Sequence, residues 1–286
     1  MNNEHYVNMM DAAGPADAGD PAGEAREPVR GAQLVSFAAR VLRALAENTR
    51  EGARIVDLVA RTALPRATVH RLLRGLCAEG LAMRDGDGRH YLGGLAFELG
   101  LAAEQQFPLR EIAAASMARI STETGDTCFL MVRSGADAVC IARHEGGYPV
   151  RALTIDVGNR RPLGAAAASL ALLMHMPAAE CEAYIERNAS RIARYGMLDA
   201  DVVRRMVANA RRLGFALNHD NILPEVSAVG VAIPTRAGRP YAALSVAALS
   251  SRVMKDDRYL AIAALLRREA DEIAGQLGIG RTSADY

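Results

Sequence analysis

The chain reads LPRATVHRLLRGLCAEG over residues 64–80 and LAMRDGDGRHYL over residues 81–92. In the first segment Pro65 suits the first turn of a helix and Gly80 suits its end. Apolar side chains recur there at helical spacing, at Val69, Leu72, Leu73 and Leu76. In the second segment the turn sequence DGDG at 85–88 separates two short extended runs. Together the two segments predict a helix followed by a two-stranded wing.

Two further helical patterns precede this helix. Apolar residues repeat at helical spacing over residues 34–47, and a shorter pattern begins at Ile55. Residues 33–93 are therefore predicted to form a winged helix-turn-helix domain, whose third helix would enter the major groove of DNA. Residues 1–32 are rich in Ala, Gly, Pro and Asp and are predicted to be a disordered leader.

The outer face of the predicted third helix carries side chains that suit DNA. From Arg61 to Arg74 there are four arginines and no acid. Arginine can pair two donors with guanine or hold a phosphate, whereas Thr and His can hydrogen-bond either. An arginine-bearing face alone is commonly only solvated, and the wing that follows it favours DNA binding. The candidate contacts are Arg66, Ala67, Thr68, His70, Arg71 and Arg74 on the helix and Arg84 and Arg89 on the wing.

The overall charge is nearly balanced. Lys and Arg number 34 and Asp and Glu number 33, for a formal net charge of +1. This excludes a uniformly basic, histone-like protein. The charge is unevenly distributed, however, because residues 1–30 carry six acids and two arginines, whereas residues 31–100 carry ten arginines and seven acids. The balance is therefore compatible with a regulator that keeps its cations on one small face.

The rest of the sequence predicts a linker helix and a second domain. The linker helix covers residues 94–107 and ends before Pro108. Over residues 108–278 helical patterns alternate with hairpins, for example at 134–137, which indicates an antiparallel α+β domain rather than a doubly wound sheet. Residues 279–286 are assigned to a tail. The predicted fold class is therefore α+β.

Several other classes of protein are excluded by missing patterns. No apolar run approaches the roughly 18–20 residues of a membrane span, and the N-terminus lacks the pattern of a secretory signal. The cysteines form no CxxC pair and are Cys77, Cys128, Cys140 and Cys181. We therefore expect a cytoplasmic protein with no metal site, no cofactor and no membrane contact.

A cytosolic α/β enzyme is the main alternative. The sequence contains no GxSxG, HExxH, Walker A or GxGxxG motif. His219 and Asp220 could suggest a base and its orienting acid, but adjacent residues of a strand point to opposite faces, so a loop with solvated polar groups is the preferred interpretation. A third alternative, a ligand-binding module without DNA activity, conflicts with the arginine-bearing helix. We expect no catalytic residues.

Five segments together carry a family resemblance. LPRATVHRLL at 64–73 resembles the recognition helix of the IclR family of bacterial transcription regulators. GRHYLG at 88–93, LG at 99–100, GNRRPL at 158–163 and AALSV at 242–246 fit that family in the same order. The resemblance covers about residues 33–278. Two residues depart from the family pattern. Ala67 stands where Ser or Thr is common in the family, and Ala63 stands in the turn between two helices where Gly is frequent.

The resemblance implies a ligand-responsive DNA-binding transcription regulator. Its N-terminal domain would dimerise on promoter DNA at a short inverted repeat, and its GAF-like C-terminal domain would bind a small metabolite and promote assembly, giving a homodimer or a dimer of dimers. Most family members repress, so a repressor of a catabolic or transport operon is expected, with an activator as the alternative.

The resemblance also implies an effector pocket on the sheet face. The implied lining residues are Cys128, Leu153, Arg161, Ala167, Ala168, Asn218, Val226, Ala228, Ser245 and Ala247. A buried hydroxyl at Ser245 needs a partner, which a ligand carboxylate could supply, together with Asn218 and Arg161. The expected ligand is a small organic acid, with aromatic acids among the candidates. The small residues 165–168 equally suit close packing of a helix on a sheet.

Overall fold

The computed structural model describes residues 32–47, 51–104, 106–235 and 238–277. The predicted leader, apart from Ala32, and the predicted tail lie outside the described residues. The chain forms two compact units, and the boundary between them falls between Pro108 and Leu109.

The described part of the N-terminal unit has the predicted order of helices and strands. Its elements are α1 (Gln33–Ala46), α2 (Ile55–Thr62), α3 (Arg66–Ala78), β1 (Ala82–Arg84), β2 (His90–Leu92) and α4 (Gly94–Glu104). The two strands pair antiparallel as the predicted hairpin. The winged helix-turn-helix prediction is thereby confirmed.

A single apolar cluster packs the first three helices together. Val41 and Leu45 of α1 and Leu58 of α2 are almost completely buried. The four apolar residues predicted for the inner face of α3 are also buried: Val69, Leu72, Leu73 and Leu76. The amphipathic pattern therefore fixed which side of α3 is left for a partner.

The α4 helix ends earlier than residues 94–107 suggest. Its last residue is Glu104, and Phe107 N–H donates to the Glu104 carbonyl in a turn. Pro108 follows, and a proline disfavours helical backbone at the residue before it. No residue of α4 is buried, and Phe97, Leu99 and Leu101 are each more than half exposed.

The described C-terminal unit is an antiparallel sheet between two helical layers. Its elements are α5 (Leu109–Thr124), β3 (Thr127–Ser134), β4 (Asp137–His144), β5 (Arg160–Pro162), α6 (Ala167–Met174), α7 (Ala178–Ile192), α8 (Ala200–Leu213), β6 (Ala216–His219), β7 (Val226–Ala232), β8 (Ala242–Leu249), α9 (Ser250–Val253), a 3-10 turn (Lys255–Asp257) and α10 (Arg258–Gln276). The strand order is β5-β4-β3-β8-β7-β6. The pairs β3–β4, β3–β8, β7–β8 and β6–β7 are antiparallel, which confirms the α+β prediction.

Alternation along the strands separates two apolar cores. Phe129 and Met131 of β3 pack with α6, α7 and α8, whereas Cys128 and Leu130 pack on the opposite face with α5 and α10. Successive side chains of a strand point to opposite faces, and here both faces are covered. The sheet therefore offers a ligand only the gaps that the helices leave.

The turn between α2 and α3 contains a strained alanine. Ala63 has φ +52° and ψ +30°, and its N–H donates to the Val59 carbonyl at 2.9 Å. The left-handed conformation costs an L-residue roughly 1–2 kcal/mol, and glycine avoids that cost. Alanine at this position therefore carries local backbone strain.

We expect Ala63→Gly to raise the free energy of unfolding by about 0.5–1 kcal/mol, because relief of the left-handed strain exceeds the roughly 0.4–1 kcal/mol of added chain entropy. Urea denaturation of the full chain measures this change. Ala67→Gly is the control, since Ala67 is exposed on α3 and glycine there should cost up to about 1 kcal/mol. Equal destabilisation by both substitutions would contradict strain at Ala63.

Candidate DNA-binding surface and effector cavity

The outer face of α3 presents polar side chains that have no partner among the described residues. Arg66, His70, Arg71 and Arg74 are exposed, and none of them forms a hydrogen bond or ion pair with another described residue. Thr68 is half-buried beside them, and Ala67 is exposed. Unpaired guanidinium groups keep all their donors for a nucleic acid. The candidate contacts predicted on the helix therefore form one continuous free surface.

Arg61 does not belong to that surface. It lies at the end of α2, where its Nη1 donates to the Ala44 carbonyl at 3.3 Å and lies 3.9 Å from Glu47 Oε2. Three of the four arginines between residues 61 and 74 therefore face outward on α3, while the fourth joins α2 to α1.

A capped turn shapes the wing. Asp85 Oδ1 accepts from the N–H groups of Asp87 at 3.0 Å and Arg89 at 2.8 Å, and Oδ2 accepts from Tyr91 at 3.1 Å. These hydrogen bonds, above all the one from the Arg89 backbone, lower the pKa of Asp85. Gly88 has φ +78°, which suits glycine. The DGDG sequence thus builds the hairpin that it predicts.

The two candidate arginines of the wing are placed differently. Arg84 is exposed, with no partner among the described residues, and Arg89 is half-buried. Arg89 Nη1 donates to the Glu51 carbonyl at 3.1 Å, and the Tyr91 hydroxyl oxygen lies 3.3 Å from the same carbonyl oxygen. Arg84 is therefore the freer of the two for DNA, and Arg89 also holds the wing to the segment before α2.

His90 has a structural position, as its place after the turn predicts. Its backbone exchanges two hydrogen bonds with Ala53, at 2.8 and 2.9 Å, and its side chain is buried. Burial, assisted by the charge of Arg84, lowers the pKa of His90. The imidazole is therefore neutral at pH 7 and adds no charge to the DNA-facing surface.

A cavity opens on the β6-β7-β8-β3 face of the C-terminal sheet. Its empty volume, including the mouth, is about 470 Å³. Seven residues implied for the effector pocket line it: Arg161, Ala167, Asn218, Val226, Ala228, Ser245 and Ala247. Strand pairing explains the grouping, because Asn218, Ala228 and Ala247 stand opposite one another on β6, β7 and β8.

Besides Thr154, this mostly apolar cavity is lined by the polar side chains of Arg161, Asn218 and Ser245. The Arg161 guanidinium donates to the Thr154 carbonyl, lies 5.3 Å from the Tyr195 ring centroid and has no carboxylate partner among the described residues. Burial lowers the pKa of Arg161, but an arginine keeps its charge at pH 7. Asn218 is 3% exposed, and its Nδ2 has no hydrogen-bond acceptor in the described structure. Ser245 is 6% exposed.

Three residues implied for the effector pocket do not line this cavity. Cys128 points to the α5–α10 core because it alternates with Phe129, and burial raises its pKa, which keeps the thiol neutral. Ala168 lies about 100° around α6 from Ala167 and is buried in the packing of α6 on β7. Leu153 is 49% exposed, and its neighbours line the cavity instead.

Seven further residues complete the cavity wall. They are Phe129, Met131, Thr154, Ile155, Ala166, Ile222 and Leu223. Strand alternation could have found the two on β3, since Phe129 stands opposite Ser245 and Met131 lies two residues farther along the same strand. No periodic pattern marks the loop residues, because their position depends on how the loops fold over the sheet.

The polar residues at the end of β6 and beyond it form a network rather than a catalytic set. His219 Nδ1 lies 2.7 Å from Ser227 Oγ, Ser227 Oγ lies 2.8 Å from Ser250 Oγ, and Ser250 donates to Asp220. The Asp220 carboxylate is 3.8 Å from His219 Nδ1, beyond hydrogen-bond distance, so it does not orient the imidazole. His219 and Asp220 are about half exposed, as the preferred interpretation expects, but His219 is the last residue of strand β6 and not part of a loop.

Two family models match this chain over both units. The model described as "IclR helix-turn-helix domain" matches residues 37–86, and "Bacterial transcriptional regulator IclR C-terminal" matches residues 101–275. The chain belongs to the IclR family of bacterial transcriptional regulators. The predictions of the family and of a regulator rather than an enzyme are thereby confirmed.

Curated relatives of this IclR-family regulator are themselves transcriptional regulators. It is 26% identical over 263 residues to the HTH-type transcriptional repressor AllR of Klebsiella pneumoniae, covering 91% of this chain and 96% of AllR. It is 27% identical over 201 residues to the HTH-type transcriptional regulator KipR of Bacillus subtilis, covering 70% of this chain and 80% of KipR.

Solved structures of IclR proteins share the fold. One from Alicyclobacillus acidocaldarius gives a TM-score of 0.70 at 22% identity, covering 86% of this chain and 99% of that one. An IclR homologue from Microbacterium hydrocarbonoxydans, complexed with 4-hydroxybenzoate, gives a TM-score of 0.65 at 25% identity, covering 86% of this chain and all of the other.

Neither a metal centre nor a membrane span is found in the described ranges. There, no three His, Cys, Asp or Glu side chains are grouped to hold a metal ion. No helix of these ranges combines the length and the apolar character needed to cross a bilayer.

We expect Arg71→Ala to weaken operator binding about 5- to 150-fold, equivalent to about 1–3 kcal/mol, if Arg71 pairs with a guanine. Fluorescence anisotropy with a labelled fragment of its own promoter measures the affinity. Arg187→Ala is the matched control, since Arg187 is an equally exposed arginine on α7 of the other unit.

The salt dependence identifies what Arg71 contacts. Loss of a phosphate contact lowers the slope of log affinity against log salt by about 1, whereas loss of a base contact mainly relaxes sequence preference. If Arg71→Ala and Arg187→Ala have the same affinity for every DNA fragment at every salt concentration, α3 does not read the operator.

Proposed function

We propose that this regulator is a repressor whose affinity for DNA is controlled by a small organic acid bound in the sheet-face cavity. The observation that carries the ligand class is Arg161, a cation at an apolar cavity with no carboxylate partner among the described residues. A cation withdrawn from water favours an anionic partner, and a guanidinium binds a carboxylate through two donors.

Two neighbouring polar groups fit the same ligand. Asn218 Nδ2 is a buried donor without an acceptor, and leaving such a group unpaired costs about 1–3 kcal/mol. The Ser245 hydroxyl is a second donor. Ser245 lies on β8, where it stands opposite Phe129 of β3. A carboxylate has the acceptor sites to satisfy all three side chains.

The cavity walls favour an apolar, aromatic body on this acid. Phe129, Met131, Ile155, Ile222 and Leu223 supply flat and branched apolar surface around the polar groups. The similar protein from Microbacterium hydrocarbonoxydans binds 4-hydroxybenzoate, an aromatic acid of this class. We therefore infer an aromatic carboxylate as the preferred effector.

The proposed partner of the N-terminal unit is a second copy of the chain on bacterial promoter DNA in the cytoplasm. Phe97, Leu99 and Leu101 leave α4 with an uncovered apolar surface, which a second α4 could bury. A symmetric dimer would present two α3 helices to half-sites one helical turn apart, or a multiple of it. Assembly to a dimer of dimers is part of the proposal.

Control of DNA binding is proposed to act by population shift. The acid would bind one arrangement of the C-terminal domains better than another and so change the spacing of the paired α3 helices. α4 is the proposed transmitter because it joins the two units along the chain. Repression is favoured over activation by the AllR relatives, which are repressors.

The effector proposal is tested by calorimetry with benzoate, hexanoate and uncharged benzamide. We expect benzoate to bind more tightly than both of the other compounds. The Ser245→Ala/Asn218→Ala double variant should weaken benzoate about 10-fold or more, because each hydrogen bond to a charged group contributes about 1.5–3 kcal/mol. Arg161→Gln should remove most of the preference for benzoate over benzamide.

Leu153→Ala is the control for these variants, since Leu153 lies next to the lining residue Thr154 but not on the cavity wall. Its affinity for benzoate should stay within about two-fold of the unmodified chain. Undiminished binding by the double variant would overturn the assigned roles, and failure of every carboxylate to bind or to change operator affinity would overturn the ligand class.

A further inference from the structure

A second, smaller cavity lies at the opposite end of α6 from the effector cavity. Its apolar wall includes Leu172, Met176 and Pro240, and its empty volume with the mouth is about 210 Å³. The effector cavity is lined by Ala166 and Ala167, at the start of α6. The eight residues of α6 therefore span the roughly 12 Å between the two cavities.

A buried carboxylate faces the second cavity with incomplete hydrogen bonding. Glu180 is 4% exposed. Arg133 Nη1 lies 3.6 Å from its Oε1, and Arg239 Nη1 lies 3.7 Å from its Oε2. Both distances exceed those of a direct hydrogen bond, and Oε2 accepts none from the residues described. A buried charge held in this way is costly unless a further group bridges the gap.

The surroundings of Glu180 carry an excess of positive charge. Arg133 and Arg239 face it, and Arg211 lies nearby, donating to the carbonyls of Met174 at 3.0 Å and Met176 at 2.8 Å. Burial, and then Arg211, lowers the pKa of His175, so this lining residue is neutral at pH 7. Three guanidinium groups against one carboxylate favour an anion.

We propose that this cavity is a second ligand site, specific for a small carboxylate that carries a hydrogen-bond donor on the adjacent carbon. The ligand carboxylate accepts from Arg133 and Arg239, and its hydroxyl or ammonium group donates to Glu180 Oε2. Such a ligand brings an acceptor to the two arginines and a donor to the buried carboxylate at once, which neither a simple anion nor a simple cation does.

Saturation-transfer NMR with the full chain tests the site with three probes: glycolate, glycine and acetate. The first two carry the adjacent donor, as a hydroxyl and as an ammonium group, and acetate lacks it. We expect glycolate or glycine to bind at least ten-fold more tightly than acetate, and the better of the two identifies the donor. Equal binding of all three probes would overturn the proposal. So would the absence of binding at a probe concentration 20-fold above a dissociation constant of about 1 mM.

Variants locate the binding. The Arg239 side chain is about half exposed, and Arg239→Ala should lower the affinity for the preferred probe at least ten-fold. Arg205 is an exposed arginine on α8, and Arg205→Ala should leave that affinity unchanged. Glu180→Gln should reduce the ratio of the affinity for the preferred probe to the affinity for acetate. Thermal denaturation of this variant checks that it folds. The Ser245→Ala/Asn218→Ala variant should keep full affinity. If it alone loses the probe, the ligand occupies the effector cavity and the second site is refuted.

Discussion

The backbone of α6 lies against β7 at a separation that only glycine permits. A Cβ on Gly230 would come within 2.4 Å of the Ala167 carbonyl oxygen and 2.9 Å of the Ala168 nitrogen. The small residues at 165–168 are thus explained first by packing, as one interpretation of the sequence holds. The same contact fixes the start of α6 against the sheet, and Ala166 and Ala167 at that start line the effector cavity.

The two functional surfaces use charge in opposite ways. On α3 the arginines have no partner among the described residues, because DNA supplies the compensating phosphates and base acceptors. In the C-terminal unit most buried or half-buried cations meet an acid, as Arg252 and Arg258 meet Asp126 at 3.2 and 3.0 Å. Arg161 departs from that pattern, which is why it carries the effector proposal.

Prediction from the sequence succeeded where one periodicity decided the structure. The spacing of Val69, Leu72 and Leu73 gave the inner face of α3, and the DGDG turn gave the wing. It did not separate neighbouring residues that lie on opposite sides of an element. The implied pocket includes Cys128, although Phe129 lines the cavity, and it includes Ala168 together with Ala167, although only Ala167 lines the cavity. One residue of error inverts a strand side chain and turns a helical one by about 100°.

The amino-acid sequence by itself determined the winged helix-turn-helix order, the α+β class and the family, because these depend on local periodicity and on motifs in order along the chain. Only the tertiary structure decided which side chains share a cavity. Asn218, Ser245 and Arg161 lie far apart in sequence and meet through strand pairing and loop packing. The gap between Glu180 and its two arginines is likewise set by how α7, β3 and the loop before β8 pack, and no spacing in the sequence records a distance of 3.7 Å.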